Sequence, residues 1–229
     1  MENSLAFLVT TYNRERSCYK LVRELTLWGD VYLINDGGEY DIHDGWVSRY
    51  PVHVLNQGHK GKEKYTETIN TLFKMPYKKY DYYFMVQDDF LPVDGFVKKA
   101  IGLWDKIKST KKICMMIYAD QGRAGKPCWT KFKPVEYKDY WLTQWTDMNL
   151  MFKAKFLEEV GIIPRSKLNW KVNPNASSGV GAYISSTLYK AGWNLYQTKR
   201  SLLLPQPEAF KSEMNPWRKK SDPINKPVI

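Results

Sequence analysis

Asp88 and Asp89 stand side by side in FMVQDDFLP, residues 84–92, where an apolar run meets a pair of acids and then a proline. Two carboxylates at a strand end repel one another, and a divalent cation relieves the repulsion. Magnesium or manganese is held in this way, by one or two protein carboxylates together with the oxygens of a substrate diphosphate. Paired acids also occur in plain turns, so the pair gains meaning from its company. Three more polar groups follow short apolar runs: TTYNR (10–14), NDGG (35–38) and NQGHKG (56–61). Asp36 offers acceptor oxygens to a pyrimidine edge or a ribose, with Gly37 and Gly38 allowing close backbone approach, although an Asp-Gly pair is also an ordinary turn. Gly58 and Gly61 offer close approach again, and His59, Lys60 and Lys62 bring charge for phosphate. Their spacing is not that of a P-loop, which argues against kinase-like ATP chemistry. Arg14 opens a helix, where free backbone N–H groups favour an anion.

The elements between these groups alternate. LAFLVTTY is too short for a helix and reads as a strand. In NRERSCYKLVRELTLWG, Cys18, Leu21, Val22, Leu25 and Trp28 fall at helical spacing, with Gly29 as the stop. DVYLIND and VHVLN are further strands. KEKYTETINTLF places Tyr65, Ile69, Leu72 and Phe73 on one helical face. YDYYFMVQDD is a fourth strand, DGFVKKAIGLWDKI a helix with Phe96, Ala100, Leu103, Trp104 and Ile107 inward, and KICMMIYAD a fifth strand. This order predicts an α/β fold with a mostly parallel central sheet and helices on both faces. Ligands bind such sheets beyond the carboxyl ends of the strands, so all four polar groups are expected along one rim. After about residue 120 the chain turns basic, aromatic and loop-rich. TDMNLMFKAKFLEEVG is a strand-like run leading into a helix, and SSGVGAYISSTLYKAGW a helix capped by Ser177 or Ser178 and stopped at Gly192. The proline-punctuated end, 211–229, is expected to wrap the surface or stay mobile.

Composition bounds the class. The chain has 229 residues, 43% hydrophobic and 15% aromatic, which suits one folded domain. No apolar run reaches the roughly 20 residues of a membrane span, and the N-terminus lacks the basic start of a secretion signal. Cys18, Cys114 and Cys128 form no spaced framework and read as packed, reduced thiols, so the expected setting is cytoplasmic, or host cytoplasm for a viral protein. Lysine and arginine number 35 against 24 acids, a net charge of +11. That surplus favours a polyanionic partner, nucleic acid or an anionic membrane face, unless it serves solubility alone.

Taken in order, VTTYNR, VYLINDGG, NQGHKGKEKYTETIN and FMVQDD resemble the N-terminal half of GT-A fold glycosyltransferases, especially the large family-two group, over residues 4–90. The resemblance implies a single GT-A domain: 1–120 as the nucleotide-sugar donor half, 121–210 as the acceptor half and 211–229 as a basic tail. It implies transfer of a hexosyl or pentosyl group from a nucleotide-diphosphate sugar, UDP favoured, with a divalent Mn2+ or Mg2+. The nucleoside cradle carries over to Thr10, Tyr12, Arg14 and Asp36, and the donor lining to Gly58, Lys60 and Gly61, with Thr66 and Asn70 behind them. The metal motif reads Gln87, Asp88, Asp89, so the first acid of Asp-X-Asp is replaced; Asp89 matches its last acid and Asp88 its middle position. Inverting members carry a Glu-Asp pair late in the chain, where SSGVGAYISS has no acid. Asp147 is the substitute for the general base and Asp120 the reserve. The late metal histidine of many GT-A enzymes has no counterpart, since His43, His53 and His59 all lie early.

For the acceptor, aromatics interleave with basic residues in KPCWTKFKPVEYKDYW, KLNWKVNP and NPWRKK. Lysine and arginine on phosphates beside aromatic platforms hold single strands or flipped bases. Trp129, Lys131, Trp145, Trp170 and Arg218 are therefore the candidate acceptor residues, and DNA the candidate partner. Small phage enzymes of this architecture glycosylate hydroxymethylated pyrimidines in DNA, and this chain resembles them in size and charge. Two other readings stay open: transfer to a surface or lipid-linked glycan, and a nucleic-acid-binding module with an inactive donor pocket.

Overall fold

In the first strand, β1 (Leu5–Thr11), successive side chains enter two different cores. Leu5, Phe7 and Val9 join one apolar cluster and Ala6 and Leu8 another, all buried. A strand covered on both faces reads as an unbroken apolar run, because the period-two alternation has no polar side. The computed structural model describes residues 3–37, 42, 50–59, 61–119, 133–167 and 179–206, with the backbone alone at 62 and 63.

The first core is closed by α1 (Glu15–Leu25), through Cys18, Leu21, Val22 and Leu25, and by α3 (Phe96–Lys106), through Phe96, Val97, Ala100 and Trp104. On the opposite face lie α2 (Gly61–Lys74), α4 (Ala154–Val160) and α5 (Val180–Lys190), contributing Ile69, Leu72, Phe156, Val160, Ile184 and Leu188. α1 ends earlier than expected, at Leu25. The Thr26 N–H donates to the Val22 carbonyl and its hydroxyl to Arg23 O, so Trp28 lies beyond the helix and is 43% exposed. For α5 the observed N-cap is Gly179, and residues 177 and 178 lie outside the described residues. Its end matches expectation: the Gly192 N–H bonds Tyr189 O and the Trp193 N–H bonds Leu188 O, the paired pattern of a Schellman cap.

The other strands are β2 (Asp30–Asn35), β3 (Val52–Asn56), β4 (Tyr82–Gln87), β5 (Phe90–Pro92), β6 (Lys112–Met116), β7 (Val135–Glu136), β8 (Tyr140–Thr143), β9 (Leu150–Phe152), β10 (Asn194–Thr198) and β11 (Leu203–Pro205). The large sheet runs β3-β2-β1-β4-β9-β6-β10-β8-β7. β3, β2, β1 and β4 are mutually parallel, with Thr10 level with Gln87, Thr11 with Asn35, and Asn35 with Asn56. Beyond β4 the sheet departs from the simple parallel expectation. β9, from much later in the chain, inserts antiparallel between β4 and β6, and only then does β6 pair with β10 in parallel. β5 and β11 form a separate two-stranded antiparallel pair directly after the two acids.

Candidate active site

The register brings the ends of β1, β2, β3 and β4 to one rim, and their polar residues bond to one another. Asn13 takes a left-handed φ of 50°, which asparagine tolerates. Beside this bend the Tyr12 ring stacks on His59 at 4.1 Å between centroids and 18° between planes. Past β2, the Asp36 N–H donates to Thr11 O at 2.9 Å, continuing the parallel ladder. Its carboxylate Oδ1 accepts from Gln57 Nε2 at 2.6 Å and from the Thr68 hydroxyl of α2 at 3.2 Å. A carbonyl can only accept, so the 3.0 Å contact between Asp36 O and His59 Nδ1 puts the proton on Nδ1. Gly37 is required here: its φ is +74°, and a Cβ would stand 2.3 Å from the His59 nitrogen.

At the end of β4 the two acids meet a cation from their own chain. Arg14 is the N-cap of α1 but makes no side-chain cap bond. Its Nη1 donates to Asp88 Oδ1 at 2.7 Å and lies 3.6 Å from Asp89 Oδ2. The other Asp88 oxygen accepts from the Thr11 hydroxyl at 2.8 Å. Burial pushes the Asp88 carboxyl up and Asp89 adds to this, against the pull of Arg14 and Thr11. For Arg14, burial disfavours the charge, but Asp88 and Asp89 outweigh it and raise the guanidinium further.

Gln87, standing where the first acid of the motif is expected, is held by an amide pair. The Gln87 N–H donates to Asn149 Oδ1 at 2.9 Å, and Asn149 Nδ2 donates to Gln87 Oε1 at 3.0 Å. Asn149 precedes β9, so the inserted strand delivers the residues before it to the same rim. Asp147 is among these, exposed, with its Oδ1 accepting from the Met148 N–H at 2.8 Å. The loop that carries it rests on α5. Ser185 Oγ accepts from the Thr146 N–H at 2.9 Å and donates to Gly181 O at 2.6 Å. A Cβ on Gly181 would stand 2.9 Å from Thr146 O, so the small residues Gly181 and Ser185 let the helix seat this loop.

Tyr65 sits among these groups. Its hydroxyl lies 3.3 Å from Thr10 Oγ1, and burial, followed by the fields of Asp88, Asp147 and Asp36, raises its pKa far above the usual phenol value. Sequence periodicity assigns Tyr65 to an apolar helix face; the ring does lie there, half-buried, while the hydroxyl reaches the rim. Gln206 has no sequence signal at all. Its N–H donates to Asp89 O at 2.7 Å, and its Nε2 donates to Asp88 O, Phe90 O and Ser17 O at 3.0 to 3.1 Å.

Of the expected site residues, Thr10, Tyr12, Arg14, Asp36, Asp88, Asp89 and Asp147 come to this rim. Arg14 faces two acids rather than an open anion position. Gly58 has open space around it, and Gly61, at φ +67°, starts α2. Thr66 is buried, and Asn70 is committed elsewhere, exchanging two bonds with the Ile163 backbone. Trp145 is half-buried against the start of α5. Lys60, Asp120, Trp129, Lys131, Trp170 and Arg218 lie outside the described residues. Cys18 and Cys114 are buried, and burial pushes the Cys114 thiol up to about 12.

No family model and no curated protein matches the sequence. Solved structures do match. Residues 1–349 of S. aureus TarS superpose with a TM-score of 0.61 at 14% identity, over 90% of this chain and 62% of that one. The fold is GT-A. A longer S. aureus TarS structure gives 0.58 at 13% identity, over 90% and 38% of the two chains. GalNAc-T7, solved with UDP, GalNAc and Mn2+, gives 0.57 at 11% identity, over 86% and 42%. The chain thus spans less than two thirds of the length of each, and at these identities the likeness is one of fold.

A divalent cation at the end of β4 would meet the side chains of Asp88 and Asp89. Here the donor set is hard carboxylate oxygen, which suits Mg2+ or Mn2+. Among the described residues no three His, Cys, Asp or Glu side chains stand close enough together to hold a metal ion by themselves. Asp88 already serves Arg14 and Thr11 with one oxygen each. Asp89 presents a second carboxylate beside it, with Oδ2 3.6 Å from Arg14 Nη1, and one carboxylate suffices for such a cation when diphosphate oxygens and waters complete the shell.

Proposed function

We propose that this protein is a glycosyltransferase, moving a sugar from a nucleoside-diphosphate donor, UDP favoured, to a hydroxyl acceptor. The observation that carries the reading is the gathering of Asp36, Arg14, Asp88, Asp89 and Asp147 along the carboxyl ends of parallel strands in a GT-A fold. Asp36, braced by Gln57 and Thr68, would accept from the imide N–H of a uracil or from a ribose hydroxyl, beside the Tyr12–His59 stack. Asp88 and Asp89 face the Arg14 guanidinium, and with Asp36 and Asp147 on the same rim around Tyr65 the field repels a bare diphosphate. A divalent cation held by Asp89 would reverse that and neutralise charge on the departing diphosphate. GalNAc-T7, of like fold, was solved with UDP and Mn2+, which supports this pairing. Asp147, exposed at the rim, would take the acceptor's proton as its oxygen attacks the anomeric carbon. Asp120 stays the reserve for this role.

For the acceptor we favour a hydroxymethylated pyrimidine in DNA. The chain's net charge of +11 favours a partner rich in phosphates. In this reading residues 1–120 form the donor half and 121–210 the acceptor half, with Trp129, Lys131, Trp145, Trp170 and Arg218 contacting DNA. The test incubates the protein with a panel of nucleotide sugars and hydroxymethyl-containing DNA, read by nucleoside mass spectrometry. Expected is one hexose or pentose added per modified base. Asp147→Asn should keep donor binding while losing turnover by about 100-fold or more. In melting curves UDP with Mn2+ should stabilise the wild type, and Asp89→Ala should lose the Mn2+-dependent part. A wild type indifferent to every nucleotide diphosphate in the panel, with and without Mn2+, refutes the reading.

A further inference from the structure

We infer that Gln206 is the positioning residue of this site, setting the spacing between Arg14 and the Asp88–Asp89 turn. The inference rests on the donor-site reading above and adds to it a residue that no motif marks. Arg14 and Asp88 are 74 residues apart, and Gln206 lies a further 118 along the chain. From there it binds both backbones. Its main-chain N–H holds Asp89 O, and its side-chain amide holds Asp88 O and Phe90 O, so three successive carbonyls of the acid turn end on one residue. The same Nε2 holds Ser17 O, in the first turn of the helix that Arg14 caps. Two hydrogens serve three carbonyl oxygens, so at least one is shared.

The cost of this arrangement argues for its purpose. Gln206 is 1% exposed, and its Oε1 has no hydrogen-bond partner among the described residues. Leucine or methionine would fill the same space with no unsatisfied oxygen, but would take this donor away from the carbonyls of Ser17, Asp88 and Phe90. What only the amide supplies is a pair of N–H groups that fasten the acid turn to the helix carrying its counter-charge. Pairing of β11 with β5 delivers it there, since Pro205 stands opposite Phe90. A residue behind the ligands that fixes their orientation governs cation affinity without touching the cation.

The test compares Gln206→Met, which keeps length and removes the side-chain N–H groups, with Leu203→Ala, which truncates a fully buried side chain on β11, the strand leading to Gln206, and leaves the amide intact. Each full-length variant is titrated with MnCl2 at fixed UDP, and the Mn2+ midpoint of the thermal shift is read beside the melting temperature without ligand. Expected is a midpoint raised by about tenfold or more in Gln206→Met. Leu203→Ala should lower the ligand-free melting temperature and keep the wild-type midpoint. A wild-type midpoint in Gln206→Met, or an equal rise in Leu203→Ala, overturns the inference while leaving the donor reading intact. A wild type that shows no stabilisation by UDP and Mn2+ overturns both.

Discussion

Replacing Arg14 with methionine keeps most of the side-chain volume and removes the cation that faces two buried acids. The guanidinium stands 2.7 Å from Asp88 and 3.6 Å from Asp89, whose side chains are 6% and 2% exposed. Breaking one side of a buried pair costs about 3–5 kcal/mol, because the remaining charge is left in a poor solvent. The Arg14 side chain keeps 20% exposure, so water reaches the pair and the lower end, about 3 kcal/mol, is expected. For a chain of 229 residues, each kcal/mol moves the melting temperature by about 2–4 °C, which places the shift near 6–12 °C. Urea unfolding followed by circular dichroism at pH 7 measures the loss directly. Combining Arg14→Met with Asp88→Asn should restore about 2 kcal/mol of it, since a neutral amide at position 88 no longer needs a counter-charge. If Arg14→Met costs under about 1 kcal/mol, the pair behaves like a surface salt bridge and the reasoning from burial is refuted.

Gly181→Ala should displace the loop bearing Asp147, because the new methyl meets Thr146 O at 2.9 Å. Steady-state kinetics should show kcat lowered by about tenfold or more with donor affinity kept. Gly37→Ala demands both a positive φ of 74° and a Cβ placed 2.3 Å from the His59 nitrogen. It should cost about 1–3 kcal/mol in unfolding experiments and weaken UDP binding by calorimetry. Asp30 gives a pH signature away from the site. Burial opposes its charge, but the Tyr80 hydroxyl at 2.5 Å and Lys78 at 3.0 Å outweigh that and hold it below the usual carboxylate range. A carboxylate with a depressed folded pKa contributes stability above its unfolded value, about 3.9, and loses it as pH falls through the folded one. The stability difference between wild type and Asp30→Asn should therefore be constant from pH 7 to about 5 and shrink below about 4. An unchanged difference at pH 3 would show that Asp30 is not ionised against these partners.

Much of the polar rim is legible without coordinates, because its causes are local. Unbroken apolar runs such as LAFLV and YYFMV mark strands buried on both faces, and each ends in polar residues. Once helices alternate with such strands, the parallel sheet follows, and parallel strands must open their carboxyl ends on one rim. That logic alone locates Asp36, Arg14, Asp88 and Asp89. Long-range pairing has no local signature. β9 runs antiparallel between β4 and β6 through partners far away along the chain, and this pairing brings Asn149 to Gln87 and Asp147 to the rim. Nothing in TTYNR shows that Arg14 turns from an open helix start to Asp88. Burial decides it, since two acids withdrawn from water need a cation at hand, and Arg14 stands within reach. Gln206 marks the limit most clearly. In LLLPQPE it resembles any loop amide, and only the β5–β11 pairing places it where carbonyls of residues 17, 88, 89 and 90 require a donor.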